Sequence, residues 1–163
     1  MDARNELTLS VTTPSDREIV LTRTFDAPRA LVWDAMTKAE HVRRWYGCAS
    51  VSLAVCDIDL RVGGSYRFTM RTQDGVDHTM TGVYREIVAP ERIVHTERYE
   101  TTAFTSPDAL VTMTLTEQRG RTKLQSVILH PNQDSRDAHL SAGMENGAGE
   151  MFDRLAALLT TMS

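Results

Sequence analysis

The residues of this chain most able to do chemistry are its five histidines, His41, His78, His95, His130 and His139, its two cysteines, Cys48 and Cys56, and a polar run at Tyr84, His95, Glu97 and Tyr99. Their spacing excludes several mechanisms. No two histidines stand one helical turn apart as a metal-binding pair, and no Cys/His cluster has zinc spacing. The cysteines are too few for a disulfide framework and are not placed as a redox pair, so both are read as reduced thiols. A nucleophile elbow needs Gly-x-Ser-x-Gly, whereas Gly63-Gly64-Ser65 lacks the flanking pattern, and no phosphate-binding loop is present. What remains is proton chemistry without a metal or covalent cofactor. A histidine titrates near neutral pH without strong perturbation, so His78 and His95 are the first candidates for an acid or base, with Tyr84 and Glu97 beside them. Whether His95 and Glu97 face inward is left open by the alternation of Arg92 to Glu100.

An oily surface surrounds these groups. Asp59-Leu60-Arg61-Val62-Gly63-Gly64-Ser65 joins two strand-like runs through a Gly pair, which turns the chain sharply and lets Tyr66, Phe68 and Met70 project together. Alternation puts His78, Met80, Gly82 and Tyr84 on one face of the next strand, and Val111, Met113 and Leu115 on one face of a later one. Such a surface either fills a core or lines a cavity. Met suits an adaptable apolar site because its side chain is flexible and polarizable. Trp45-Tyr46 reads as a pocket rim or plug, since the basic groove of a nucleic-acid stacking platform is missing.

The elements that must carry this surface follow from period and punctuation. Strands are predicted over Arg17 to Phe25, Val51 to Leu60, Ser65 to Arg71, Val76 to Val88, Arg92 to Glu100, Ala109 to Thr116 and Arg121 to His130, seven in all. Asp74-Gly75 and Arg119-Gly120 supply hairpin turns, and Ala89-Pro90 breaks one strand from the next. The apolar parity of Val51 to Leu60 switches midway, which predicts a β-bulge. Two short helices follow the first strand. Asp26 and Pro28 are expected to open one around Leu31 and Ala35, and a capping box at Thr37-Lys38-Ala39-Glu40 the other. Met144, Ala148, Met151, Phe152, Leu155, Leu158, Leu159 and Met162 form one apolar stripe, so a long helix over Met144 to Met162 lies across the sheet. The class is α+β. Residues 1–15 are expected to be a flexible lead-in and 16–163 a single domain.

Composition narrows the function classes. The 163 residues carry 18 Lys+Arg against 22 Asp+Glu, a formal charge of −4 with no long block of either sign. That argues against a nucleic-acid partner. No apolar run approaches the roughly 20 residues that span a bilayer, and Asp2, Arg4, Asn5 and Glu6 interrupt any signal-peptide pattern. The expectation is a cytoplasmic protein with no membrane partner.

Five segments, in order, carry a resemblance. They are Phe25-Asp26-Ala27-Pro28-Arg29-Ala30-Leu31-Val32-Trp33-Asp34-Ala35, Arg44-Trp45-Tyr46-Gly47, the Gly63-Gly64 turn, Gly82-Val83-Tyr84-Arg85-Glu86-Ile87 with Pro90-Glu91-Arg92-Ile93-Val94, and Gly143-Met144-Glu145-Asn146-Gly147. From about Asp16 to about Leu159 the chain resembles the family of activator of heat-shock-protein-90 ATPase homologues, a branch of the START-like (SRPBCC) superfamily. The resemblance implies a helix-grip fold, a curved antiparallel sheet gripping the C-terminal helix with a cavity between them. It implies no chemistry by itself. Relatives commonly carry Trp where this chain has Ala148, which leaves space beside the sheet or a repacked core. Gly147 and Gly149 each weaken the helix by about 1 kcal/mol relative to Ala, suggesting close approach of backbone or ligand.

On this basis the expected function is binding of a small apolar or aromatic molecule. From the first helices and the third strand, the expected ligand-binding residues are Trp33, Trp45, Tyr66, Phe68 and Met70. The later elements add His78, Met80, Tyr84, Met113, Met144, Ala148 and Met151. Two rivals stand beside it: a domain that contacts a heat-shock chaperone and stimulates its ATPase, and a cofactor-free enzyme of cyclase or hydratase type. In the eukaryotic activator an additional N-terminal domain makes the main chaperone contacts, and 163 residues are too few to include it. A homodimer is carried as a further partner expectation.

Overall fold

A computed structural model describes residues 6–47 and 51–162, so Cys48 lies outside the described residues. The order is β1 (Ser10–Thr12), β2 (Glu18–Phe25), α1 (Arg29–Thr37), α2 (Ala39–Trp45), β3 (Val51–Ile58), β4 (Ser65–Thr72), β5 (Asp77–Val88), β6 (Arg92–Glu100), β7 (Ala109–Gln118), β8 (Arg121–Leu129), α3 (Gln133–Ser141) and α4 (Met144–Leu159). The strands form one open antiparallel sheet in the order β1-β2-β8-β7-β6-β5-β4-β3. This is the α+β helix-grip architecture. Among the described residues no helix is long and apolar enough to cross a membrane.

Register fixes which side chains share the inner face. Tyr66 pairs with Gly82, Phe68 with Met80 and Met70 with His78. Across the next ladder Met80 pairs with Tyr99 and Tyr84 with His95. His95 then pairs with Val111 and Glu97 with Ala109. Directly paired residues point to the same side of a sheet, so His95, Glu97 and Tyr99 all face inward with Tyr66 and Met80. The predicted bulge in β3 falls between Leu53 and Val55. A second register shift, between Tyr84 and Glu86, had no sequence signal.

The inner face is closed by helices. Ala148, Phe152, Leu155, Leu158 and Leu159 of α4 are buried, and Leu155 is fully so. The Phe152 ring meets Phe25 edge-on at 6.1 Å and lies 6.4 Å from Trp45. Their apolar burial is the main force holding α4 on the sheet.

Several local expectations give way to tertiary context. Thr37 does not cap α2; it is the buried last residue of α1, and its hydroxyl donates to the Trp33 carbonyl at 2.7 Å. Lys38 occupies the N-cap position of α2 without a side-chain bond. Asp26 does not cap α1 either, because Pro28 is the N-cap residue and Asp26 instead faces Arg121 at 3.5 Å. The polar lead-in contributes an eighth strand: Ser10–Thr12 pairs with β2, and Leu9 and Val11 pack against the core. An additional helix, α3, is opened by Asn132, whose side chain accepts from the Ser135 N–H at 2.8 Å. Helix α4 ends at Leu159, short of Met162.

Candidate functional site

The turn between β3 and β4 aims the first aromatic residue. Gly63 has φ +84°, and a Cβ on Gly64 would come within 2.1 Å of the Asp59 carbonyl oxygen, so neither position tolerates a side chain in this turn. The turn is stitched to β5: the Gly63 N–H donates to the Tyr84 carbonyl at 2.8 Å and the Tyr84 N–H to the Gly64 carbonyl at 2.9 Å. Beyond it an aromatic chain runs along the inner face. Ring centroids are separated by 5.6 Å for Tyr84 and Tyr66, 5.1 Å for Tyr66 and Phe68, and 4.8 Å for Phe68 and Tyr46.

Polar groups are set into this chain. The Tyr66 hydroxyl donates to the Thr96 carbonyl at 2.9 Å and lies 3.2 Å from Nδ1 of His95. Nδ1 is itself 2.9 Å from the same carbonyl, which selects the Nδ1–H tautomer and leaves the lone pair on Nε2. Burial lowers the His95 pKa, so the ring is neutral at pH 7. Burial, and then the nearby Glu97 charge, push the Tyr66 and Tyr46 hydroxyls far above the usual phenol range.

Glu97 is the most perturbed acid. Burial raises its carboxyl to about 7, with no hydrogen bond or cation acting against it. The residue faces inward and is half-buried rather than sealed in.

Alongside lies a recess of about 270 Å³, lined among the described residues by Gly47, Val51, Met70, Thr72, His78, Tyr99, Gly147 and Met151. It sits between the strands β3 to β6 and the first turns of α4, and its surface is almost wholly apolar. One wall is held by His78, whose Nδ1 is 2.5 Å from the Tyr99 hydroxyl with the rings stacked 5.9 Å apart.

Of the residues named from the sequence, Met70, His78 and Met151 are brought together in this recess. Phe68, Met80 and Met144 are half-buried against the core, while Tyr66, Tyr84, Met113 and Ala148 are buried within it. Trp33 and Trp45 are core side chains away from the recess, and the Trp45 indole N–H donates to the Ala35 carbonyl at 2.8 Å. Gly47, Val51, Thr72, Tyr99 and Gly147 line the recess without having been named as ligand-binding. Gly47 adjoins the Trp45-Tyr46 pair, and Tyr99 continues the alternation of His95 and Glu97, so both had a signal. A Cβ on Gly147 or Gly149 would meet nothing within 4 Å, so protein backbone does not approach them closely. At Gly147 the missing side chain leaves the recess open. Cys56 is a free, buried cysteine whose thiol pKa is raised by burial, away from the reactive thiolate range. Among the described residues no group of three His, Cys, Asp or Glu side chains is placed to hold a metal ion.

The family model of Activator of Hsp90 ATPase homolog 1-like proteins matches residues 26–160. This chain belongs to that family. Solved structures agree on the fold. A crystal structure of a Rhodobacter sphaeroides protein superposes with TM-score 0.88 at 22% identity, covering 95% of this chain and 99% of that one. A Mycobacterium smegmatis protein gives TM-score 0.84 at 23% identity, covering 95% of this chain and 99% of that one. The AHSA1 protein of Silicibacter pomeroyi gives 0.74 at 17% identity, covering 90% of this chain and 99% of that one. No curated protein sequence matches the chain. At these identities the structural likeness shows the fold alone.

Proposed function

We propose that this member of the Activator of Hsp90 ATPase homolog 1-like family binds a small apolar or aromatic molecule between its sheet and α4. The observation that carries this reading is the recess of about 270 Å³, with Met70, Val51 and Met151 on its walls and Gly147 leaving it open. An apolar cavity of about 150 Å³ is enough for benzene, so a fused bicyclic molecule is of suitable size here. Two methionines let the walls adapt to different outlines. The test is native mass spectrometry of freshly purified protein together with titration of a neutral naphthalene probe. A retained small molecule, or probe binding that Gly147→Trp abolishes without lowering Tm, supports the reading. Probe affinity unchanged in Gly147→Trp refutes this location.

A second reading, a cofactor-free cyclase or hydratase, draws on the inward placement of His95 and Glu97. The neutral His95 with its free Nε2 would serve as base and the protonated fraction of Glu97 as acid. Turnover of a cyclic substrate that survives both His95→Ala and Glu97→Gln would exclude that assignment.

A further inference from the structure

We propose that the ligand of this recess carries a hydrogen-bond-donating head group, a hydroxyl or an amine, which the Glu97 carboxyl receives at the inner end of the cavity beside the Tyr46 hydroxyl. This rests on the ligand-binding reading above and specifies the chemistry the same site selects.

Glu97 and Tyr46 stand apart from their neighbours in hydrogen bonding. Tyr66 and His95 both use the Thr96 carbonyl. His78 and Tyr99 satisfy each other. Among the described residues neither the Glu97 carboxyl nor the Tyr46 hydroxyl has such a partner. They are close enough for the Glu97 charge to act on the phenol, yet they are not bonded to each other. Both residues are half-buried rather than sealed in, so their polar atoms can take a bond from a bound molecule.

Their position fits the recess. Tyr46 immediately precedes Gly47, and Glu97 precedes Tyr99 by two residues on the same face of β6; both Gly47 and Tyr99 line the cavity. Neither Glu97 nor Tyr46 is itself among the lining residues; two residues along a strand is about 7 Å, so Glu97 lies about that far along β6 from Tyr99. Its lateral partner on β7 is Ala109. On the other side the continuing register brings Gly82 alongside, between the Thr81–Arg98 and Tyr84–His95 pairs. Ala109 is too short to reach over the carboxyl, and on the Gly82 side the Tyr66 ring stands over the glycine and forms the neighbouring wall. A ligand entering between Met70 and Met151 would meet walls that reward apolar contact and an end that accepts a proton donor. A ligand carboxylate would instead set like charges together, so fatty and aromatic acids are disfavoured.

The experiment compares naphthol, aminomethylnaphthalene and methoxynaphthalene by fluorescence titration at neutral pH against wild type, Glu97→Leu and Glu97→Gln. The wild type is expected to bind at least one donor-bearing probe about tenfold more tightly than methoxynaphthalene, the effect of one hydrogen bond to a charged group. Glu97→Leu should erase that margin while still binding methoxynaphthalene. Glu97→Gln should keep a naphthol margin and lose an aminomethyl one, which separates a hydroxyl from a cation and serves if the Leu variant fails to fold. Equal affinities in the wild type, or a margin that survives in Glu97→Leu, would overturn the anchor while leaving the apolar cavity standing. Absence of binding by every probe would overturn both readings.

Discussion

The ring of Tyr66 occupies the space that a side chain on Gly82 would need: a Cβ there would lie 2.5 Å from Cε1 of Tyr66 and 1.9 Å from the Thr96 carbonyl oxygen. Because position 82 is Gly, Tyr66 can cross β5 and donate to that carbonyl on β6. Gly82→Ala is therefore expected to cost about 1–3 kcal/mol or more, since backbone rather than a mobile side-chain tip must shift. Tyr66→Phe, which removes only the hydroxyl, should cost less, about 1 kcal/mol. Urea denaturation of the pair tests this; an alanine variant as stable as the wild type would contradict the packing described.

Glu97 should give the protein an unusual pH dependence. Its folded pKa of about 7 lies above the ordinary value of 4.5. The folded state therefore binds the proton more tightly than the unfolded chain. The stabilisation is full below about 4.5 and is lost as pH rises to about 7, an effect on the order of 3 kcal/mol. Glu97→Gln should remove this falling limb. Denaturation midpoints across that window measure it, and identical profiles for the two proteins would show that Glu97 is not desolvated.

What could be read from the sequence was what repeats. The period of α4 and the alternation of Tyr66, Phe68 and Met70 mark the core face directly, because burial acts on every second or every third to fourth side chain. Single events were harder. A capping box at Thr37 competes with a back-bond to Trp33, and only the packed structure shows which bond wins. The strand at Ser10–Thr12 is short and polar, and it exists because β2 offers an edge to pair with. The inward face of β6 was ambiguous because Arg92 to Glu100 carries polar groups on both faces, so the direction of Glu97 emerged from its ladder with Ala109.

The glycine at position 149 should be replaceable with gain. It lies inside α4, its φ is not in the left-handed region, and a Cβ would meet nothing within 4 Å. Gly149→Ala is expected to stabilise by about 0.5–1 kcal/mol. Gly143, at the N-cap with φ +84°, should respond in the opposite direction to the same change. Thermal denaturation of both variants decides the matter; a destabilised Gly149→Ala would mean that the space beside the helix is filled.

A histidine pair supplies a pH effect of the opposite sign. Nε2 of His130 lies 3.0 Å from Nδ1 of His139, so one neutral ring donates to the other. Burial and then the neighbouring His130 lower the His139 pKa from 6.5 to about 4. Burial and then Arg136 lower that of His130. Here the unfolded chain takes up the proton first, so the pair's stabilisation is present above about 6.5 and is lost as pH falls toward about 4. Across the overlap with Glu97 the two slopes oppose, and the wild-type profile should be flatter than either contribution alone. His139→Gln, which can still bond to His130 without titrating, should expose the Glu97 limb, with stability falling as pH rises. Glu97→Gln should expose the histidine limb, with stability rising. If the two variants tilt in the same direction, one of these groups is exposed to water in the folded protein.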